Sequence, residues 1–120
     1  MTHVLLIEDD RWLAELEARV LDNAGYTVSM AANALEAVDK VDESLPDVII
    51  ADVLMAGSTI FPLLHELQSY SDTYKIPVVL CTNIAEQFSL ETLGSYGVRR
   101  IVDKSVMEPA DIVAAVKAVL

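Results

Sequence analysis

Basic residues are scarce in this chain. Its 120 residues include 8 lysines and arginines against 19 aspartates and glutamates, which gives a formal net charge of −11. Proteins that bind nucleic acid contact the phosphates mainly through lysine and arginine, so this balance argues against direct nucleic-acid binding by this domain. An acidic surface fits a protein that binds cations or basic partners, although composition alone does not separate that reading from simple solubility.

Cysteines and long apolar runs are also lacking. The single cysteine, Cys81, excludes an internal disulfide and a multi-cysteine zinc site. No apolar run approaches the roughly 20 residues that a membrane span requires, so no membrane contact is expected. An N-terminal signal peptide is not expected either, because Glu8, Asp9 and Asp10 interrupt its apolar core, and a cytoplasmic location is predicted. The length suits one domain over residues 1–120.

Short apolar runs alternate with segments of helical periodicity along the whole chain. Strands are predicted at residues 4–7, 26–30, 47–52, 76–82 and 98–102, helices at 11–24, after the cap residue Asn33, at 60–70, at 85–93 and from Pro109, and a loop at 57–59. Leu35, Val38 and Val41 are the expected inner face of the second helix. Continuously apolar strands, each followed by a helix, predict an α/β fold with a single doubly wound, five-stranded parallel sheet and five helices.

Polar side chains end or follow four of these strands. In an open parallel sheet, ligands bind outside the carboxyl ends of the strands. The polar residues at that edge are Glu8, Asp9, Asp10, Asp52, Thr82, Asn83, Asp103 and Lys104. Clustered carboxylates repel one another, and a hard divalent cation such as Mg²⁺ removes that repulsion. The sequence therefore predicts an acidic magnesium site at this edge.

The residue types at this edge suit phosphoryl transfer. Asp9 and Asp52 are the expected direct Mg²⁺ ligands, and Glu8 is long enough to bind directly or through water. A carboxylate beside a bound cation can also attack phosphorus, which makes Asp52 the candidate phosphate acceptor. Lys104 and the Thr82 hydroxyl could each stabilise one phosphoryl oxygen. Each residue alone has a plainer explanation, such as a helix cap or a solvated lysine, but their convergence on one edge favours a shared site.

These motifs closely resemble those of the receiver domains of two-component response regulators, over essentially the whole chain. Residues 5–10 resemble that family's acidic metal-binding motif, and residues 46–52 resemble its phosphoacceptor strand. Residues 77–82 match its switch-hydroxyl strand, and Lys104 falls where its lysine does. The resemblance implies a flavodoxin-like fold with strand order 2-1-3-4-5.

The resemblance also implies a function. A sensor histidine kinase or phosphotransfer protein would donate a phosphoryl group to Asp52 with Mg²⁺ bound, and the backbone carbonyl of Leu54 would be a further metal ligand. Thr82 would turn toward the phosphate, and the surface of helix 4, strand 5 and helix 5 would change its contacts with an effector domain or protein. That surface is also a candidate for a homodimer. Such a domain is not an enzyme, since it catalyses only its own phosphorylation and dephosphorylation.

Several positions depart from the family pattern. In the loop after the acceptor strand only Gly57 matches, and Asn83 is bulkier than the small residue usual there. Leu54 and Asn83 are predicted to slow attack by water on the phosphate. Ser105 replaces a proline that usually follows a cis bond, so a trans connection is expected. Ile101 replaces an aromatic residue that usually rotates with the switch hydroxyl.

Other functions remain open at this point. The alternative within the family is a pseudo-receiver, which would act as a phosphorylation-independent interaction module. A phosphatase of haloacid-dehalogenase type would need an aspartate where Leu54 stands, and a flavin-binding protein would need a phosphate-binding loop after the first strand. The sequence names no kinase or oligomeric state, and it leaves open whether an effector domain follows Leu120.

Overall fold

Five parallel strands form the central sheet of this chain. A computed structural model describes residues 2–55 and 58–120. The sheet strands are β1 (His3–Ile7), β2 (Thr27–Ala31), β3 (Val48–Ala51), β6 (Val78–Thr82) and β7 (Val98–Asp103), and a separate pair comprises β4 (Leu54–Met55) and β5 (Ser58–Thr59). Because β4 and β5 lie outside the sheet, β6 and β7 are its fourth and fifth strands. The order β2-β1-β3-β6-β7 therefore confirms the predicted 2-1-3-4-5 arrangement.

Helices cover both faces of the sheet, as expected for a parallel sheet that buries both sides. They are α1 (Arg11–Asn23), α2 (Ala34–Glu43), α3 (Phe61–Gln68), α4 (Leu90–Leu93) and α5 (Pro109–Val119). Helices α1 and α5 pack on one face, and α2, α3 and α4 pack on the other. Successive residues of β1 divide between the two cores: Val4 and Leu6 face α1 and α5, whereas Leu5 and Ile7 face α2 and α3.

The second helix begins where it was predicted, but its inner face differs. The side chain of Asn33 accepts a hydrogen bond from the Glu36 N–H at 2.9 Å, which confirms the predicted cap. Leu35 was expected to face the core, yet 75% of it is exposed. The buried positions are Ala37 and Val41, which are separated by one helical turn. The prediction was based on large apolar residues, so it missed Ala37, whose side chain is small.

The segment after Asp52 was predicted as a loop, and this prediction was wrong for Ser58 and Thr59. These two residues pair antiparallel with Leu54 and Met55. Polar residue types suggested a loop, but Met55 is buried while Leu54 is 54% exposed, which is the alternation of a strand. The family-matching Gly57 lies outside the described residues.

The predicted fourth helix is shorter than expected. Residues 85–93 were assigned to one helix, whereas the structure has a 3₁₀ turn at Ala85–Gln87, then α4, then a 3₁₀ turn at Gly94–Tyr96. Ser89 separates the first two, because it is extended and its hydroxyl accepts a hydrogen bond from the Thr92 N–H at 3.2 Å. Serine competes in this way with a continuing helix.

Candidate functional site

The register of the sheet places Glu8 and Asp52 side by side. Ile7 of β1 pairs with Ala51 of β3, so the residue that follows each strand leaves the sheet at the same level. The Asp52 N–H donates to the Ile7 carbonyl at 3.3 Å, which continues the ladder by one residue. The two carboxylates thus meet because adjacent parallel strands end together.

Lys104 reaches the same point from the far side of β6. Thr82 pairs with Asp103 in the sheet, and the Lys104 N–H donates to the Thr82 carbonyl at 2.9 Å. The Lys104 ammonium Nζ donates to Glu8 Oε2 at 2.6 Å and to Asp52 Oδ2 at 2.8 Å. One cation therefore bridges the two carboxylates across the sheet edge, and charge-assisted hydrogen bonds of this length are strong.

Burial shifts the pKa values of the groups in this bridge. Glu8 is only 5% exposed, and its burial raises the pKa of its carboxyl, although the hydrogen bond from Lys104 opposes the shift. Burial alone would lower the pKa of Lys104, but its hydrogen bonds to Asp52 and Glu8 outweigh that effect and raise it. The lysine therefore stays charged and offsets part of the negative charge of the two acids.

Thr82 lies at the end of β6 with its side chain buried. Its hydroxyl oxygen accepts a hydrogen bond from the Ile84 N–H at 3.3 Å, just before the 3₁₀ turn at Ala85–Gln87. A hydroxyl is both donor and acceptor, so its hydrogen can still be donated to another oxygen. The structure thus ties the predicted switch residue to the loop that precedes α4.

Not all predicted metal ligands come together. Asp9 is exposed, and within residues 2–55 and 58–120 no three acidic, histidine or cysteine side chains form a metal-binding group. The Leu54 N–H lies 3.4 Å from Asp52 Oδ1. The pair Glu8 and Asp52 still fits Mg²⁺, which usually takes one or two carboxylates and keeps several waters. Both already converge on a cation, the Lys104 ammonium.

The turn after the lysine is built without proline. No cis peptide bond occurs among the described residues, which confirms the expected trans connection at Ser105. Asp103 accepts hydrogen bonds from the Ser105 N–H at 2.9 Å and from its hydroxyl at 2.5 Å, and both lower the pKa of the exposed Asp103 carboxyl. Ile101 is half-buried against the core that the aromatic rings of Phe61 and Phe88 also contact.

One acidic residue near the site was missed by the sequence reading. Glu17 of α1 is only 3% exposed, and burial and then the charge of Glu8 raise the pKa of its carboxyl to about 7. Its neighbours on the buried side of α1 are Ala14 and Leu21. The sequence contained a sign of this burial. Glu17 lies three residues after Ala14 and four before Leu21, at a position where the helix period favours an apolar side chain.

Comparison with known proteins decides the family. The family model described as the response regulator receiver domain matches residues 4–117. The chain is a response regulator receiver domain. It is 28% identical over 117 residues to the phosphate regulon transcriptional regulatory protein PhoB of Escherichia coli, covering 98% of this chain and 51% of PhoB. Nearly the whole of this chain matches these curated relatives, and it spans about half of their length.

Solved structures of receiver domains share this fold. The chemotaxis protein CheY4 of Vibrio cholerae superposes with a TM-score of 0.88 at 27% identity, over 100% of this chain and 99% of that chain. The response regulator TrrA of Thermotoga maritima, in complex with Mg(2+)-BeF, gives 0.84 at 24% identity over 100% of both chains. The CheY-like, flavodoxin-like fold implied by the resemblance is thereby confirmed. No described helix is long and apolar enough to cross a membrane.

Proposed function

We propose that this receiver domain accepts a phosphoryl group on Asp52 from a sensor histidine kinase or a phosphotransfer protein, in a reaction that requires Mg²⁺. The observation that carries the proposal is the bridge from Lys104 to Asp52 and Glu8 at the carboxyl edge of the sheet. The Asp52 side chain is 13% exposed, so it combines access from solvent with a buried, neutralising partner.

The proposed metal ligands are Glu8, Asp9, Asp52 and the Leu54 backbone carbonyl. When bound, Mg²⁺ would supply positive charge to the phosphoryl oxygens and reduce repulsion between them and the carboxylates. TrrA shares the fold of this domain and is described with Mg(2+)-BeF, but at that identity the likeness extends only to the fold. The metal assignment therefore depends on the converging carboxylates of this chain.

Two side chains would act on the phosphoryl group directly. Lys104 would donate to a phosphoryl oxygen the hydrogen bond that it now donates to Asp52. Its positive charge would then stabilise the negative charge that builds up on the phosphoryl group. The Thr82 hydroxyl would donate to a second oxygen. Because this hydroxyl also accepts from the Ile84 N–H, its movement would pull on the segment before α4. That contact is the proposed route to a changed surface on α4, β7 and α5.

Exposed apolar side chains near the ends of the strands suit a protein partner. Trp12, Leu35, Leu54 and Val106 are each more than half exposed, and each lies in or beside a segment that leaves the carboxyl edge of the sheet. Isolated exposed apolar residues are ordinary, but several near one reactive group favour docking of the phosphodonor protein. The expected cytoplasmic location stays a prediction.

The output partner would be an effector domain or protein that reads the α4–β7–α5 surface, and the same surface is the proposed homodimer interface. Arg100 and Asp111 are exposed there and carry opposite charges, which a two-fold interface could pair between copies. Nucleic acid would not be bound by this domain, given its net charge of −11.

The test is phosphorylation in vitro. The chain is incubated with acetyl phosphate, with and without Mg²⁺, and its intact mass is measured. We expect a gain of about 80 daltons, one phosphoryl group, only with the metal. The gain should be absent in Asp52→Asn and present in the matched variant Asp42→Asn, which removes an exposed carboxylate from α2. A gain that survives in Asp52→Asn would contradict the acceptor assignment.

A second experiment tests the alternative that the chain is a pseudo-receiver. The chain is mixed with a phosphorylated histidine kinase, and transfer is followed with labelled phosphate. Absence of transfer here, together with absence of any mass gain with acetyl phosphate, would indicate a pseudo-receiver that works through phosphorylation-independent contacts.

A further inference from the structure

A cavity separate from the phosphoacceptor site lies between α1 and the start of α5. Its volume is about 360 Å³, within the range of small-molecule sites. Apolar side chains from both helices line it, among them Leu13, Val20 and Ile112. Lys104 marks its boundary with the acceptor site, whereas Asp52 is not among its lining residues.

One wall of this cavity contains a carboxyl group with one unpartnered oxygen. Glu17 lines the cavity and is 97% buried, and its Oε1 atom has no hydrogen-bond partner among the described residues. Burial of a carboxyl oxygen that accepts no hydrogen bond costs free energy, and burial of an ionised carboxylate costs more. A ligand that supplied a donor to Glu17 would recover part of that cost.

The other charged groups of the lining are already engaged. Asp10 caps α1 by accepting a hydrogen bond from the Leu13 N–H at 3.1 Å. Glu108 caps α5 in a reciprocal arrangement with Asp111. Lys104 bridges the acceptor-site carboxylates described above. Among the charged lining residues, Glu17 is thus the one with a buried oxygen that lacks a partner within the described parts of the chain.

We propose that this cavity binds a small organic cation, with a primary ammonium or guanidinium group on Glu17 and a short apolar chain against Leu13, Val20 and Ile112. Three acidic residues and one lysine give the lining a net negative charge, which favours a cation. A metal ion is a poor fit, because hard cations need several oxygen ligands and the other two acids of the lining already cap helices.

The test uses n-hexylammonium as the probe, with hexan-1-ol and hexanoate as matched controls of the same chain length. Each is titrated at about pH 8 into the ¹⁵N-labelled chain, and amide shifts are followed by NMR. We expect saturable shifts for hexylammonium around Glu17 and Ile112. Hexanol lacks the charge and should bind roughly tenfold or more weakly, and hexanoate should not bind.

Variants decide whether Glu17 carries the recognition. Glu17→Gln keeps the shape of the side chain and removes its charge, and it should weaken hexylammonium binding roughly tenfold or more. Glu15→Gln removes an exposed charge from the same helix outside the cavity lining and should leave binding unchanged. If Glu17→Gln does not fold, Leu13→Phe tests the location of the site instead, because it narrows the cavity and should abolish the shifts, and the hexan-1-ol control then tests the charge.

Three outcomes would overturn the proposal. The first is equal affinity for hexylammonium and hexanol, which would indicate an apolar cavity without cation recognition. The second is unchanged binding by Glu17→Gln or, if that variant does not fold, by Leu13→Phe. The third is a set of shifts that follows exposed carboxylates elsewhere on the chain, which would indicate nonspecific attraction to an acidic protein.

Discussion

The face of the sheet covered by α2, α3 and α4 is packed by apolar side chains, whereas the face covered by α1 and α5 also buries an acidic one. On the first side, the buried polar residue after α3 is Thr73, and its hydroxyl donates to the Leu67 carbonyl at 2.5 Å. On the second side, Glu17 is buried with an unpaired oxygen. Apolar packing thus stabilises one face, while the buried acid of the other face costs stability.

The largest expected effect compares one core residue from each face. Leu64 of α3 is fully buried, and Leu64→Ala should lower the free energy of unfolding by about 3–5 kcal/mol, because it removes packed atoms and leaves a cavity. Ile112 of α5 is equally buried but already lines a cavity, so Ile112→Ala should cost less, about 2 kcal/mol. Urea unfolding of both variants measures the difference. Equal losses would show that the cavity beside Ile112 does not weaken its packing.

The next effect depends on pH. Burial raises the pKa of Glu17 from its ordinary value of 4.5 to about 7, so the folded chain binds a proton more tightly than the unfolded chain. Stability from this group is therefore greatest below about pH 4.5 and falls as the pH rises to about 7. Glu17→Gln lacks that loss and should be more stable than wild type by about 3 kcal/mol at pH 8, with the gap closing toward pH 5.

The measurement is urea unfolding of both proteins between pH 5 and pH 8. Other charges act on Glu17, since Glu8, Asp52 and Asp10 raise its pKa and Lys104 lowers it, and all are kept in the variant. Glu15→Gln is the control: Glu15 is exposed and paired with Arg11, so its loss should change stability by less than about 0.5 kcal/mol. A gap between wild type and Glu17→Gln that does not vary with pH would contradict the buried-acid assignment.

The smallest effect compares the helix caps of the two faces. Asn33→Ala removes the cap of α2 and should cost about 1 kcal/mol. Asp10→Ala removes the cap of α1, but it also removes a negative charge that raises the pKa of Glu17, so its net cost at pH 8 should be smaller. Thermal unfolding at low and high salt measures both. The cost of Asp10→Ala should rise with salt, because salt screens the repulsion that the variant relieves.

Much of the fold and part of the site could be predicted from residue order. Strand ends are readable where an apolar run stops at a carboxylate, and parallel pairing then places Glu8 beside Asp52, as observed. Lys104 followed from the same rule. Asp9 was expected beside them and is exposed. The order of the strands therefore places Glu8, Asp52 and Lys104 at one edge, but it does not give the burial of each side chain.

The elements that could not be predicted depend on how segments pair and pack against one another. The Ser58–Thr59 strand exists because it pairs with Leu54–Met55, a contact that local composition does not encode. Glu17 resembled an ordinary solvated glutamate, and only the packing of α1 against the sheet and α5 shows that it is buried. Its position on the apolar side of the helix was the available signal.

The ammonium of Lys104 also determines what an incoming ion must overcome. Glu8 and Asp52 already share a counterion that is part of the chain itself, so a divalent cation would compete with Lys104 for the same oxygens. Binding is then an exchange of one positive partner for another, and the net charge of the buried edge changes less than the arrival of a free ion would suggest. The affinity of this edge for the proposed metal would accordingly depend on where Lys104 can move as much as on the acids themselves.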